Sequence, residues 1–185
     1  FISRYRTRLL LGAAALVVAN VIWVAVTYLV YPGYLDHGEP SVALISWRLL
    51  DGLPAFLGFD EPALISNIYG PLTYVFHALS FWLLGPTIMA GKASSLLAAT
   101  LIPVFVFLSQ RHKGYNQAVT GAILACGLGL FNIPFSIWNR PDSLLALLGV
   151  ISVWAVNASD PKRSEWVKSI MIAVLTGLAV GMKVH

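Results

Sequence analysis

Residues 9–31 read LLLGAAALVVANVIWVAVTYLVY, an apolar run that carries no charge and only Asn20 and Thr27 as strongly polar breaks. A helix of about 20 mostly apolar residues rises about 30 Å, enough to cross the hydrocarbon core of a bilayer. The run therefore predicts a membrane-spanning helix, and Pro32 and Gly33 end it. Directly at the exit comes YLDHGEPS (34–41), which sets Asp36, His37 and Glu39 within four residues of one another. A polar cluster at such a boundary suits a solvated loop, a metal site or a catalytic base.

Working outward, the same signal repeats. Of the 185 residues 58% are hydrophobic and 11% are charged, whereas a soluble domain carries about 25% charged residues. Together with a mean hydropathy of +0.77, this is the composition of an integral membrane protein. The net charge of +4 is spread in small groups between apolar runs. It forms no basic stripe interleaved with aromatics, so nucleic acid is not an expected partner. Cys126 is the single cysteine and sits inside an apolar run, which rules out a disulfide within the chain. Arg4, Arg6 and Arg8 precede the first run as in a signal peptide. That run is too long for a typical signal core and has no small-residue cleavage site, so a retained anchor is expected. The chain opens at Phe1 and closes at His185 just past an apolar run, and further helices are expected beyond it.

Five spans are predicted, at 9–31, 88–109, 115–138, 143–157 and 166–182, making an all-α polytopic bundle. A long first loop, about 32–87, separates the first two. Within it PSVALISWRLLDG (40–52) suits a helix lying on the membrane surface. PLTYVFHALSFWLLGP (71–86) leaves only about 20 Å of helix between Pro71 and Gly85, short of the core thickness. Its Tyr, Phe and Trp fit interfacial depth. If this second helix does not span, eight Lys and Arg residues (Arg4, Arg6, Arg8, Arg111, Lys113, Lys162, Arg163, Lys168) fall on the cytoplasmic side. Arg48, Lys92, Arg140 and Lys183 fall outside. If it spans, the count becomes six against six, so the positive-inside bias favours two interfacial helices and an outer first loop. Asp36, Glu39, Asp51, Asp60, Glu61 and Asp142 then gather on the outer face. Small residues at Gly121, Ala125 and Gly129, and at Gly177 and Gly181, predict close helix approach. Pro103 and Pro134 predict kinks.

Four groups carry candidate chemistry. A carboxylate at Asp36 or Glu39 suits a general base for an acceptor hydroxyl or amine. With His37 the pair could instead ligate a divalent metal, although D-H-G-E lacks a defined ligand spacing. In WNRPD (138–142), Arg140 suits a lipid phosphate and Asp142 either caps the following helix or joins the site. Lys183 near the end of an apolar run either snorkels or pairs with phosphate, and Lys92 stands at the same outer end. In SNIYGPLTY (66–74), Asn67 and Tyr69 suit hydrogen bonding to a sugar or headgroup, or aromatic anchoring. No dinucleotide fingerprint, P-loop, zinc spacing or nucleophile elbow occurs.

Taken in order, the acidic first loop, YGPLTY (69–74), GKASSLLAATLIPVFVFLSQRHKG (91–114), RPDSLLALLG (140–149) and GLAVGMK (177–183) resemble the GT-C membrane glycosyltransferases. The likeness is to the family-39-like branch of protein mannosyltransferases and the lipid A aminoarabinose transferase, and it covers the N-terminal part of such an enzyme. The resemblance implies transfer of a sugar from a polyprenyl-phosphate donor to a lipid, glycan or protein acceptor. It further implies action outside the cytoplasm, expected here at the outer face of a bacterial inner membrane. Direct displacement would invert the anomeric carbon, and the charge count sets the N-terminus in the cytoplasm. By motif position it puts the base at Asp36 with Glu39 close behind, the second acid at Asp142, and the donor phosphate on Arg140 and Lys183. His37 stands where relatives have a second acid. A transporter or flippase for lipid-linked glycans, or a non-catalytic membrane subunit, is the alternative.

Overall fold

The computed structural model describes residues 2–55, 69–131, 138–158 and 165–183. Seven α-helices and one 3-10 turn run through them, with no strand among the described residues. They are α1 (Ile2–Val30), α2 (Gly38–Leu50), α3 (Pro71–Leu84), α4 (Ile88–Gln110), the turn Arg111–Lys113, α5 (Tyr115–Phe131), α6 (Asp142–Ala158) and α7 (Glu165–Met182). The expected kink residue Pro103 lies inside α4, whereas Pro134, Asp60 and Glu61 lie outside the described residues.

Local chemistry sets the ends of these helices. Pro71 opens α3 at a position where its missing N–H costs nothing. Gly85, at φ 80°, closes it in a conformation that favours glycine. Thr87 caps α4, its hydroxyl accepting from the Ala90 amide at 3.1 Å. Asp142 lies in the first turn of α6, where a carboxylate complements the exposed amides.

Three helical stretches are long and apolar enough to cross a membrane: Thr7–Val30, Ile88–Lys113 and Glu165–Met182. Three of the five expected spans thus meet this length and apolarity among the described residues. α5 and α6 have 17 residues each, or about 25 Å of helix. For α5 the expected span ran on through 132–137, which lie outside the described residues. α3, with 14 residues, is shorter still.

α4 is the hub, packing against α5 and α6 and also touching α1 and α3. α2 lies on α3, and the N-terminal end of α3 meets α7. Ala98, Leu144 and Met182 bury the junction of α4, α6 and α7, while Val42, Ile45 and Tyr74 bury that of α2 and α3. The Ser94 hydroxyl meets Nδ1 of the fully buried His77, fastening α3 to α4. The opposite faces of α2 and α3 leave Leu44, Trp47, Val75, Leu79 and Trp82 exposed.

The small residues divide in their use. A side chain at Gly121 would press on Val106 of α4, and one at Gly181 on Leu72. Gly177 has open space around it and supports no close packing among the described residues.

Candidate polar site at the acidic end of the bundle

At the end of the bundle where α1 finishes, four chain segments bring charged groups together. The first is the turn between α1 and α2. The Asp36 carboxylate accepts from Arg140 Nε at 2.8 Å and from the guanidinium's terminal nitrogen as well. It also accepts from the Gly38 amide at 3.3 Å, an Asx-type turn that holds the side chain at the head of α2. Its side chain is only 9% exposed. Burial pushes the Asp36 carboxyl up, but the hydrogen bonds and charge of Arg140 outweigh it and hold the group below the ordinary carboxylate range. The Arg140 guanidinium is affected in the converse sense: burial lowers it and Asp36 raises it further, so the pair is ionised. His37 is 91% exposed, with Nδ1 2.9 Å from the other Asp36 oxygen.

The second segment is the 138–141 turn before α6. Arg140 lies over the Trp138 ring at 5.6 Å, and Ser95 of α4 donates to the Arg140 carbonyl at 3.0 Å. The third is the C-terminal end of α7. Met182 offers its carbonyl to both the Gly70 amide at 2.9 Å and the Thr73 hydroxyl at 2.7 Å. This docks the last turn of α7 on the first turn of α3, and it sets Lys183 Nζ 3.4 Å from Asp142 Oδ1. Tyr69, from the fourth segment, is half-buried in the fields of Arg140, Asp142 and Asp36. Burial raises its phenol above the ordinary value, Arg140 opposes the rise and the two acids add to it. Asp36, His37, Arg140, Asp142, Lys183 and Tyr69 are therefore neighbours, as their sequence patterns suggested. Asn67 lies outside the described residues.

Glu39 and Lys92 occupy different places from those expected of a base and a substrate ligand. The Glu39 side chain is fully buried. Its carboxylate accepts from the amides of Leu35 at 2.7 Å, Asp36 at 3.0 Å and Asn139 at 2.8 Å, and from the Tyr28 hydroxyl. Asn139 Nδ2 adds a bond to the Glu39 carbonyl at 3.3 Å. A carboxylate so surrounded by donors clasps three segments and presents no oxygen to solvent. Lys92, also fully buried, donates to the carbonyls of Tyr28 at 2.8 Å and Tyr31 at 2.9 Å. These are the orphan acceptors at the C-terminal end of α1. Its ammonium further lies 4.5 Å from the Tyr28 ring centre and 5.4 Å from that of Tyr31. Lys92 thus caps the C-terminal end of α1.

Tyr28, Asn139, Thr73 and Met182 escaped the sequence reading. Tyr28 hides in the apolar run, and Asn139 was overshadowed by its charged neighbours in WNRPD. The buried Oδ1 of Asn139 and Oγ of Ser143 have no hydrogen-bond partner among the described residues. Buried polar atoms are ordinarily paired, so this side of the cluster has capacity to spare.

Among the described residues no three His, Cys, Asp or Glu side chains converge on a common point. One Asp36 oxygen is held by the Arg140 guanidinium, so the remaining Asp36 and His37 make a poor set for a divalent ion, which the adjacent cation would repel. Compared with protein-family profiles, curated proteins and solved structures, the chain matches none.

Proposed function

We propose that the chain forms part of a GT-C-like membrane glycosyltransferase of the family-39-like branch. It would draw on a polyprenyl-phosphate-linked sugar and act at the outer face of a bacterial inner membrane, with α5 and α6 as additional crossings where the bilayer thins locally. The observation that carries this reading is the meeting of the Asp36–Arg140 and Asp142–Lys183 pairs at one end of the helices. Two carboxylates beside two cations suit a reaction in which a proton leaves a nucleophile while negative charge builds on a phosphate. The open apolar face of α2 and α3, with Trp47 and Trp82 exposed, supports the interfacial placement of that pair.

In this reading an acceptor hydroxyl or amine hydrogen-bonds to Asp36 and attacks the anomeric carbon. The bond from that carbon to the donor's phosphate oxygen breaks, its electrons stay on the phosphate, and the configuration inverts. The proton passes to Asp36. Arg140 and Lys183 would steady the departing phosphate. Asp142 holds Lys183, and Tyr69 and His37 line the approach. Asp36 is preferred to Glu39 as base because one of its oxygens has the exposed His37 beside it, whereas the Glu39 side chain is fully buried.

The test is sugar transfer in membranes from a labelled polyprenyl-phosphate sugar, comparing the wild type with Asp36→Asn, Arg140→Lys and Lys183→Gln. Removing a positioned acid-base group lowers a rate by about 10²–10⁴-fold, and that is the expected effect of Asp36→Asn. Undiminished transfer by Asp36→Asn would sink the base assignment. Transbilayer movement of the lipid-linked sugar without transfer by the wild type would favour the flippase alternative.

A further inference from the structure

At the other end of the bundle, α1, α4 and α5 enclose a cleft of about 910 Å³, within the roughly 300–1,000 Å³ of ordinary ligand sites. Its polar wall carries Thr7, Gln110, Lys113, Asn116, Gln117 and Thr120, and its apolar wall Leu10, Val106 and Leu124. Along α5 the lining changes from Asn116 to Leu124 over eight residues, about 12 Å of helix. A polar mouth above an apolar floor at that depth matches a headgroup above the start of an acyl chain.

Charge points the same way. Arg8 adjoins the lining residues Thr7 and Leu9, and Arg111 lies between Gln110 and Lys113; both arginines are exposed. Residues 1–31 and 88–131 contain no Asp or Glu at all. Arg8, Arg111 and Lys113 take part in no ion pair among the described residues. The three walls thus present cations and amides with no carboxylate of their own to meet them. Basic pockets between membrane helices on the cytoplasmic side are suited to anionic lipid headgroups, and the clustering of basic residues is what assigns this end to the cytoplasm.

We propose that this cleft binds an anionic phospholipid of the cytoplasmic leaflet. Lys113 with Arg111 meets the phosphate, Gln117 and Asn116 hydrogen-bond the headgroup, and an acyl chain runs against Val106 and Leu124. The site is separate from the Asp36–Arg140 cluster and stands whether or not the chain transfers sugar.

The test uses the purified full chain in phosphatidylcholine nanodiscs carrying spin-labelled phosphatidylglycerol. The wild type is expected to show an immobilised lipid component. Arg111→Gln and Lys113→Gln each weaken it about fivefold, while Lys168→Gln, a cation paired with Glu165 on α7, leaves it unchanged. Thr120→Trp fills the cleft without altering charge and abolishes the component, and Gln117→Leu weakens it without adding bulk. Binding that survives both Thr120→Trp and Gln117→Leu yet falls with Lys113→Gln would reduce the effect to surface attraction and overturn the proposal. Complete displacement by inorganic phosphate would make it a free-anion site. A shift from dimer to monomer on Thr120→Trp would make the cleft a contact between copies of the chain.

Discussion

The backbone amide of Asn139 donates at 2.8 Å to the buried carboxylate of Glu39, a hundred residues earlier in the chain. The same carboxylate receives the Tyr28 hydroxyl and the amides of Leu35 and Asp36. One side chain therefore joins the end of α1, the head of α2 and the turn before α6. Each buried donor left unpaired costs about 1–3 kcal/mol. Glu39→Ala is expected to lose several degrees of Tm, at about 2–4 °C per kcal/mol for a chain of this size. Glu39→Gln is expected to fall between the two, because its amide nitrogen must face a donor. Thermal unfolding in detergent, followed by circular dichroism, checks both. An unchanged Tm in Glu39→Ala would refute the clasp.

Asp36 gives a pH dependence with a definite sign. Its carboxyl lies below the ordinary range in the folded chain, so the unfolded chain binds the proton more readily. The stabilisation from the Asp36–Arg140 pair is complete above the unfolded carboxylate value of about 3.9. It is lost as pH falls through the lower folded value. Wild type and Asp36→Asn should differ in Tm at neutral pH and converge in acid. Parallel curves down to the acid limit would show that the pair is not formed in solution.

Gly70 tests the docking of α7. Its φ of −70° suits any residue, but a Cβ there would run into the carbonyl of Gly181. A backbone carbonyl held in a helix cannot swing aside as a side chain can. Gly70→Ala is expected to cost about 1–3 kcal/mol and to release Lys183 from the cluster. Labelling of a cysteine placed at 183 should become faster in the Gly70→Ala background. An equal labelling rate would show that α7 is held by other contacts.

Lys92→Met separates a fold role from a ligand role. The substitution keeps the stem's packing but leaves the Tyr28 and Tyr31 carbonyls without their donor. A loss of about 1–3 kcal/mol is expected, together with normal transfer per folded molecule in the assay proposed for Asp36. Normal Tm with impaired transfer would instead return Lys92 to the substrate.

Much of this chain was legible without coordinates. The period and length of its apolar runs, the Pro and Gly stops at 32–33 and 85, and the shortness of the 71–84 helix are local properties that nearest neighbours along the chain enforce. So is the placing of charged groups at helix ends, because they are expelled from hydrocarbon and collect where a helix terminates. The grouping of Asp36, Arg140, Asp142 and Lys183 was within reach for that reason. Tertiary structure decided which of these charges are exposed. Glu39 and Lys92 resemble Asp36 and Lys183 in sequence, yet they are consumed by Tyr28, Asn139 and the last carbonyls of α1. Burial and pairing across a hundred residues are set by how helices pack, and no local pattern encodes that choice.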